Sequence, residues 1–189
     1  MKQGADFFER LRAELKRAPP KSIEPGGMVL KEAAVLAALF WRGEEPWVYL
    51  TMRPLTMRKH PGQISFPGGA RDPDDLTPLH TALREANEEL GIPPESVEVL
   101  GMLAGMPSIT RYYVTPFVAV VPPELKLRAN PTEVGEVIEA PLLRLRTESR
   151  LLYAAQREVF VWDDAKHVVW GLTWRFIREL VGHARAAAG

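Results

Sequence analysis

One short helix constrains this chain more than any other segment, because both of its ends are marked and its faces differ in chemistry. Thr77 is a favourable N-cap residue, Pro78 suits the first helical position, and Gly91 suits the position that ends a helix. These signals predict a helix over residues 78–90. An apolar stripe follows one side of it: Leu79, Leu83, Ala86 and Leu90. The helix is therefore expected to pack by this stripe.

A second face of the helix carries three carboxylates, Glu85, Glu88 and Glu89, about 130° away from the apolar stripe. Like charges three and four residues apart repel each other by roughly 0.2–0.5 kcal/mol per pair. A divalent cation would reverse this repulsion, and Mg²⁺ prefers such oxygen ligands while leaving other positions to water and phosphate oxygens. The face therefore indicates a metal site that handles phosphate, with a solvated acidic helix surface as the alternative.

The segment just upstream, residues 65–69, has the sequence SFPGG, and its two glycines let the backbone come close to a ligand. A glycine-rich turn before a carboxylate helix resembles the Nudix box, whose pattern is G-x5-E-x7-R-E-U-x-E-E-x-G-U with U aliphatic. The second half of this pattern is matched by the following residues: Arg84, Glu85, Ala86, Glu88, Glu89, Gly91 and Ile92. The chain therefore resembles Nudix hydrolases, with the box at residues 69–92.

The first half of the box departs from the general pattern. Fourteen residues separate Gly69 from Arg84, where the pattern has thirteen, and its upstream glutamate is absent, with Asp74 and Asp75 nearby instead. Residues 50–69 also resemble the extra motif of coenzyme A pyrophosphatases, LLTxR…RxHxGxxxFPGG. That subfamily commonly has the longer box with TALREAxEE, as in this chain, so the departure favours the narrower resemblance. The likeness covers most of the chain, from about residue 33 to residue 177.

The other segments predict an α+β fold. The expected elements are a helix within 1–20, strands at 33–41, 47–52, 97–104, 113–121 and 134–140, a short helix at 142–145, a hairpin of 158–162 with 167–170, and a final helix at 172–187. Helices interleaved with strands, together with the Nudix resemblance, imply an α/β/α sandwich around a mixed β-sheet.

Composition agrees with one soluble enzyme domain over residues 1–189. The chain is 46% hydrophobic, and its 24 Lys and Arg residues balance 24 Asp and Glu residues, so a nucleic-acid partner is not expected. The absence of cysteine excludes disulfides and thiolate chemistry. Residues 1–6 lack an apolar signal core and no stretch approaches a membrane span, so we expect a cytoplasmic protein, either monomer or homodimer.

The resemblance implies hydrolysis of a diphosphate linkage with Mg²⁺ or Mn²⁺, since cations neutralise phosphate oxygens and help to deprotonate water. Glu85 and Glu89, one helical turn apart, are the expected metal ligands, and Glu88 is within reach of a second ion or a bridging water. Arg84 is expected to fix Glu88 one turn later, with direct phosphate contact as the alternative.

The general base is less well defined by the sequence. A glutamate in a later loop is a frequent solution in Nudix enzymes, and Glu133 and Glu136 lie where such a loop would be. Solvated loop acids are the alternative interpretation of both residues. Glu88 is the third candidate, because it could itself hold the attacking water.

A cationic cluster precedes the box: Arg53, Arg58, Lys59 and His60. Coenzyme A carries a 3′-phosphate beside its diphosphate, and arginine grips phosphate in a bidentate manner while lysine acts as a point charge. The subfamily resemblance therefore favours substrate binding over a solvated basic turn. Gly68 and Gly69 are expected to bring the backbone near the phosphate, and the tryptophans at 162, 170 and 174 are expected to pack in the core.

The expected activity is cleavage of coenzyme A, or an acyl derivative, into 4′-phosphopantetheine (or its acyl form) and adenosine 3′,5′-bisphosphate. One alternative is hydrolysis of another nucleoside diphosphate derivative, such as ADP-ribose or NADH. The other is a noncatalytic Nudix-like module that senses a nucleotide. The full set of Glu85, Glu88 and Glu89 argues against a sensor, because a binding module has no need of all three carboxylates.

Overall fold

The computed structural model describes residues 2–17, 27, 29–57, 60–145, 150–152, 157–161 and 167–189. Within these ranges the α-helices are α1 (Lys2–Arg17), α2 (Pro78–Leu90) and α3 (Gly171–Ala188). The strands are β1 (Lys31–Arg42), β2 (Glu45–Met52), β3 (Ile64–Ser65), β4 (Gly68–Ala70), β5 (Glu98–Met102), β6 (Met106–Pro107), β7 (Tyr112–Val120), β8 (Glu136–Pro141), β9 (Arg150–Leu152), β10 (Arg157–Val161) and β11 (Val168–Trp170). Short 3₁₀ helices span Pro94–Ser96 and Leu142–Arg144.

Strand β1 lies at the centre of the main sheet. It pairs in parallel with β7 and antiparallel with β2 and β4. The strand order β3-β2-β1-β7-β5 is extended by β8, which pairs with β2, and by β6, which pairs with β7. The sheet is therefore mixed, as expected, while β9, β10 and β11 form a separate antiparallel sheet.

Side chains of β1 alternate between two hydrophobic cores, because successive residues of a strand point to opposite faces of the sheet. Leu36 and Phe40 belong to the core that includes α2, whereas Ala37 and Leu39 belong to the core that includes α1 and α3. Helix α2 thus covers one face of the sheet, and α1 and α3 cover the other. This arrangement confirms the predicted α/β/α sandwich.

Helix α2 begins and ends where the sequence predicts. The Thr77 side chain accepts a hydrogen bond from the backbone N–H of His80 at 3.1 Å. Gly91 adopts a left-handed conformation with φ 68°, which favours glycine. Burial of the apolar stripe is complete at Ala86 and Leu90 and only partial at Leu79 and Leu83. Thr81 and Ala82 are fully buried as well, so α2 packs against the sheet along both halves of its length.

The short strands β3, β4 and β6 were not predicted, because segments of two or three residues are too short to show a periodic pattern. Strand β9 adds a third strand to the predicted hairpin of β10 and β11. The turn of that hairpin, residues 162–166, and the predicted helical residues 18–20 lie outside the described residues. None of the described helices is long and apolar enough to span a membrane.

Candidate active site

Three carboxylates from two parts of the chain meet beside the glycine turn. Glu85 and Glu89 lie one turn apart on α2, and Glu133 reaches them from the segment before β8. One oxygen of each lies within 4.8 Å of the oxygens of the other two. The backbone N–H of Asn130 donates to the carbonyl of Glu89 at 2.9 Å, which holds this segment against the end of α2. The fold therefore assembles one group of oxygen ligands, which we call the carboxylate group.

Burial makes the charge of the carboxylate group costly. Glu89 is only 7% exposed, and its Oε2 atom has no hydrogen-bond partner among the described residues. Burial, together with the charges of Glu85 and Glu133, raises the pKa of Glu89 to about 8. Burial also raises the pKa of Glu85, although Arg84 beside it acts in the opposite direction. A divalent cation would neutralise part of this charge and could be coordinated by Oε2 of Glu89, so the carboxylate group fits Mg²⁺ or Mn²⁺.

The two glycines of the turn make room for the carboxylate group. A Cβ atom at Gly69 would lie 2.5 Å from Oε1 of Glu85. A Cβ atom at Gly68 would lie 2.4 Å from the carbonyl oxygen of Ala34 in β1. The backbone N–H of Gly68 also donates a hydrogen bond to the Glu89 carboxylate. The turn therefore lies between β1 and the glutamates, and neither glycine position has space for a side chain.

Arg84 lies at the centre of a network of ion pairs. Its Nη1 atom is 3.0 Å from Glu85 and 3.0 Å from Glu88. Its Nη2 atom is 3.0 Å from Oδ2 of Asp75, a residue that is 2% exposed. The guanidinium holds the pKa of Asp75 well below its usual range. The expected contact of Arg84 with Glu88 is present, and Arg84 also forms ion pairs with Glu85, Asp75 and, at 3.9 Å, Asp72.

Two of the predicted acidic residues lie outside the carboxylate group. Glu88, a predicted metal ligand and candidate base, has a side chain that is 48% exposed and contacts Arg84. Glu136, the other loop candidate for the base, lies 3.4 Å from Nε2 of the buried His167. The helical spacing predicted that the three glutamates of α2 share one face. In the structure the side chains of Glu85 and Glu89 are largely buried, whereas that of Glu88 is half-exposed. The third member of the carboxylate group is Glu133.

A cleft of about 900 Å³ opens beside the glycine turn. Its wall includes these residues that were expected to bind substrate: Arg53, His60, Gly68 and Gly69. Gln63 lines it as well. Arg58 and Lys59 lie outside the described residues. The motif upstream of the box and the turn that contacts the carboxylate group thus share one cavity.

The wall of the cleft also includes residues 107–110, Tyr112 and residues 170–175, which the sequence did not indicate. Arg175 contributes a cation there. Trp170 is half-buried with its ring 6.4 Å from that of His60, so the expectation that it only packs in the core was wrong. Trp174 is 3% exposed and does belong to the core. An exposed arginine near the start of a helix is usually a solvated residue, so no signal in the sequence indicated that Arg175 lines a cleft.

Comparison with known proteins assigns the family. Residues 30–162 match the NUDIX domain. The chain is 39% identical to the Nudix hydrolase NudL of Photorhabdus laumondii, over 93% of this chain and 95% of that protein. It is 45% identical to NudL of an Enterobacter species, over 79% of this chain and 81% of that protein. A crystal structure of a NUDIX hydrolase from Alicyclobacillus acidocaldarius is similar in fold, with a TM-score of 0.59 and 18% identity, over 87% of this chain and 98% of that one. The chain belongs to the Nudix hydrolase family.

Proposed function

We propose that this protein hydrolyses the diphosphate of coenzyme A or an acyl derivative, giving 4′-phosphopantetheine (or its acyl form) and adenosine 3′,5′-bisphosphate. One observation carries the proposal. Arg53 and His60, from the motif that resembles coenzyme A pyrophosphatases, line the same cleft as Gly68 and Gly69, which contact the carboxylate group. The family supports hydrolysis of a nucleoside diphosphate derivative, and the motif supports the narrower substrate.

The cleft also has the charge distribution that this substrate needs. Arg53 and Arg175 lie on the wall of the cleft. Arg84, by contrast, forms ion pairs with Asp75 and Glu85. Coenzyme A carries phosphate at two places, the diphosphate and the 3′ position, so it can use cations at more than one point of the wall. Arginine suits this role because its planar group binds phosphate oxygens in a bidentate manner.

Glu85 and Glu89 are the residues that would hold the divalent ion, Mg²⁺ or Mn²⁺. Such an ion supplies neutralisation of the diphosphate oxygens and activation of water. The Gly68 N–H orients the Glu89 carboxylate, and Arg84 orients Glu85. These contacts fix the two carboxylates before substrate arrives.

We assign the role of general base to Glu133. Its carboxylate lies within the carboxylate group, whereas Glu88 contacts Arg84 and Glu136 lies near His167. Glu133 would take the proton from water as the water oxygen attacks phosphorus, and the bridging oxygen would leave with the electron pair of the broken P–O bond.

A substrate panel tests the proposed function. Purified protein with Mg²⁺ or Mn²⁺ is given coenzyme A, dephospho-coenzyme A, ADP-ribose or NADH, and the products are resolved by chromatography. We expect the highest kcat/KM with coenzyme A, because only this member of the panel combines pantetheine with a 3′-phosphate. A preference for ADP-ribose or NADH would replace the proposed substrate, and no turnover of any compound would favour a sensor.

Three substitutions test the assigned roles. We expect Glu89→Gln to remove most activity while the fold stays intact, and Glu133→Gln to lower kcat by about 10²–10⁴-fold, the usual contribution of a general base. Glu136→Gln, in the same segment of the chain, is the matched control and should keep most activity. A larger loss in Glu136→Gln than in Glu133→Gln would move the base to residue 136.

A further inference from the structure

Asp75 lies in the part of the box where the family's upstream glutamate is absent, and it is buried against Arg84. Its Oδ1 atom accepts from Nε of Arg84 at 3.1 Å, and its Oδ2 atom accepts from Nη2 at 3.0 Å. Oδ2 also accepts a hydrogen bond from the backbone N–H of Asp72 at 3.0 Å. The pair is bidentate, which is the arrangement that holds a guanidinium in one orientation.

The Nη1 atom of Arg84 lies between Glu85 of the carboxylate group and Glu88 outside it. Nη1 lies 3.0 Å from Glu85, and Nη2 donates to the carbonyl of Ala70, next to the glycine turn, at 3.1 Å. A guanidinium is planar, so fixing Nε and Nη2 on Asp75 also fixes the direction of Nη1. Asp75 therefore determines the position of the Arg84 guanidinium beside Glu85, although Asp75 does not contact Glu85 itself.

The loop that carries Asp75 is itself held in place. Arg71 donates from Nε to the carbonyl of Asp75 at 3.1 Å and from Nη2 to the carbonyl of Leu76 at 3.3 Å. Five residues separate Gly69 from Asp75, which is the spacing of the upstream glutamate in the box pattern, and an aspartate side chain is one methylene shorter than glutamate.

We propose that Asp75 is a positioning residue of the active site, which orients Glu85 for metal binding by fixing Arg84. This inference rests on the proposed function only in taking Glu85 as a metal ligand, and it doesn't depend on which substrate is cleaved. Substitution of a residue that orients a metal ligand typically lowers metal affinity or activity by about 10–100-fold. Asp75 has the burial and the bidentate contact that such a role requires.

Asp75→Asn tests the proposal, because it keeps the size of the side chain and removes its charge. We expect the variant to bind Mn²⁺ about 10–100-fold more weakly, measured as free Mn²⁺ by electron paramagnetic resonance, and to lose kcat with little change in KM. Asp74→Asn is the matched control, since this neighbouring aspartate is exposed, and it should bind Mn²⁺ like the wild type.

Two further variants separate positioning from folding. Asp75→Glu keeps the charge and should recover part of the Mn²⁺ affinity that Asp75→Asn loses. The double variant Asp75→Asn with Arg84→Gln should bind Mn²⁺ as Arg84→Gln alone does, because Asp75 acts through Arg84. Wild-type Mn²⁺ affinity in folded Asp75→Asn, or additive losses in the double variant, would overturn the proposal. Since Mn²⁺ binding needs no substrate, a failure of the coenzyme A assay would leave this result unaffected.

Discussion

At the scale of single residues, Glu89 makes stability depend on pH in the metal-free protein. Its pKa is raised to about 8 from an ordinary value of 4.5, so between these values the folded chain keeps a proton that the unfolded chain has lost. The free energy of unfolding should therefore fall as pH rises through this window, by an amount on the order of a few kcal/mol. Thermal unfolding in a chelator from about pH 5 to pH 8 measures this fall.

Substitution of Glu89 provides the control for that measurement. Glu89→Gln cannot titrate, so its stability should vary less with pH than that of the wild type. Glu88→Gln, one residue away and half-exposed, should keep the wild-type slope. An unchanged slope in Glu89→Gln would mean that another group is responsible for the pH dependence.

Replacing Gly69 by alanine is predicted to lower activity, whereas replacing Gly68 by alanine is predicted to lower stability. The Cβ of Gly69→Ala would meet the end of the flexible Glu85 side chain, so the fold should survive while Glu85 moves and metal-dependent activity falls at least tenfold. The Cβ of Gly68→Ala would meet backbone atoms of Ala34 and Val35, which cannot move aside, so this variant should lose stability. Melting temperature and kcat, measured on both variants, distinguish the two effects. Wild-type activity of Gly69→Ala would contradict the close approach to Glu85.

At the scale of elements, an N-cap stabilises α2, the helix that carries Glu85 and Glu89. The Thr77 side chain satisfies one free N–H of the first turn, and replacing such a cap by alanine typically costs about 1 kcal/mol. We expect Thr77→Ala to lower the free energy of unfolding by this amount and Thr77→Ser to keep it, measured by denaturant titration. Equal stability of Thr77→Ala and wild type would show that the cap contributes nothing measurable.

At the scale of the whole molecule, α1 packs into the same hydrophobic core as α3. Its apolar face is buried against α3 and β5: Phe7, Phe8, Leu11 and Leu15. Arg12 also donates to the carbonyl of Val99 in β5 at 3.0 Å. This helix precedes the part of the chain that matches the NUDIX domain, yet it packs as part of the same sandwich. Its apolar face is therefore not left over for a partner subunit.

This packing predicts one cooperative unfolding transition. Leu11 is fully buried, and replacing it by alanine should cost about 2–5 kcal/mol by leaving a cavity. If α1 belongs to the same cooperative unit, Leu11→Ala should lower the melting temperature seen by far-ultraviolet and tryptophan signals together. Separate transitions for the two signals would contradict the single domain expected for residues 1–189, which stays a prediction, as do the oligomeric state and the cytoplasmic location.

Signals between neighbouring residues were enough to predict several elements. The bounds of α2 follow from Thr77, Pro78 and Gly91, since caps and turns are decided by neighbouring residues. Long strands such as β1 and β7 were predicted for a similar reason, because their apolar runs extend over many residues. The Nudix box and the motif before it belong to the same class of information, as patterns of adjacent residues.

Contacts between distant side chains became evident only in the folded chain. Glu133 joins Glu85 and Glu89, and Arg175 and Trp170 complete the cleft, because sheet pairing and helix packing bring these segments together. The same packing turned Glu88 away from its neighbours and buried Asp75 on Arg84. Helical spacing gives the angle between side chains but not what covers each face. Burial by the rest of the chain supplies that information, and with it the strongest electrostatic effects in the site.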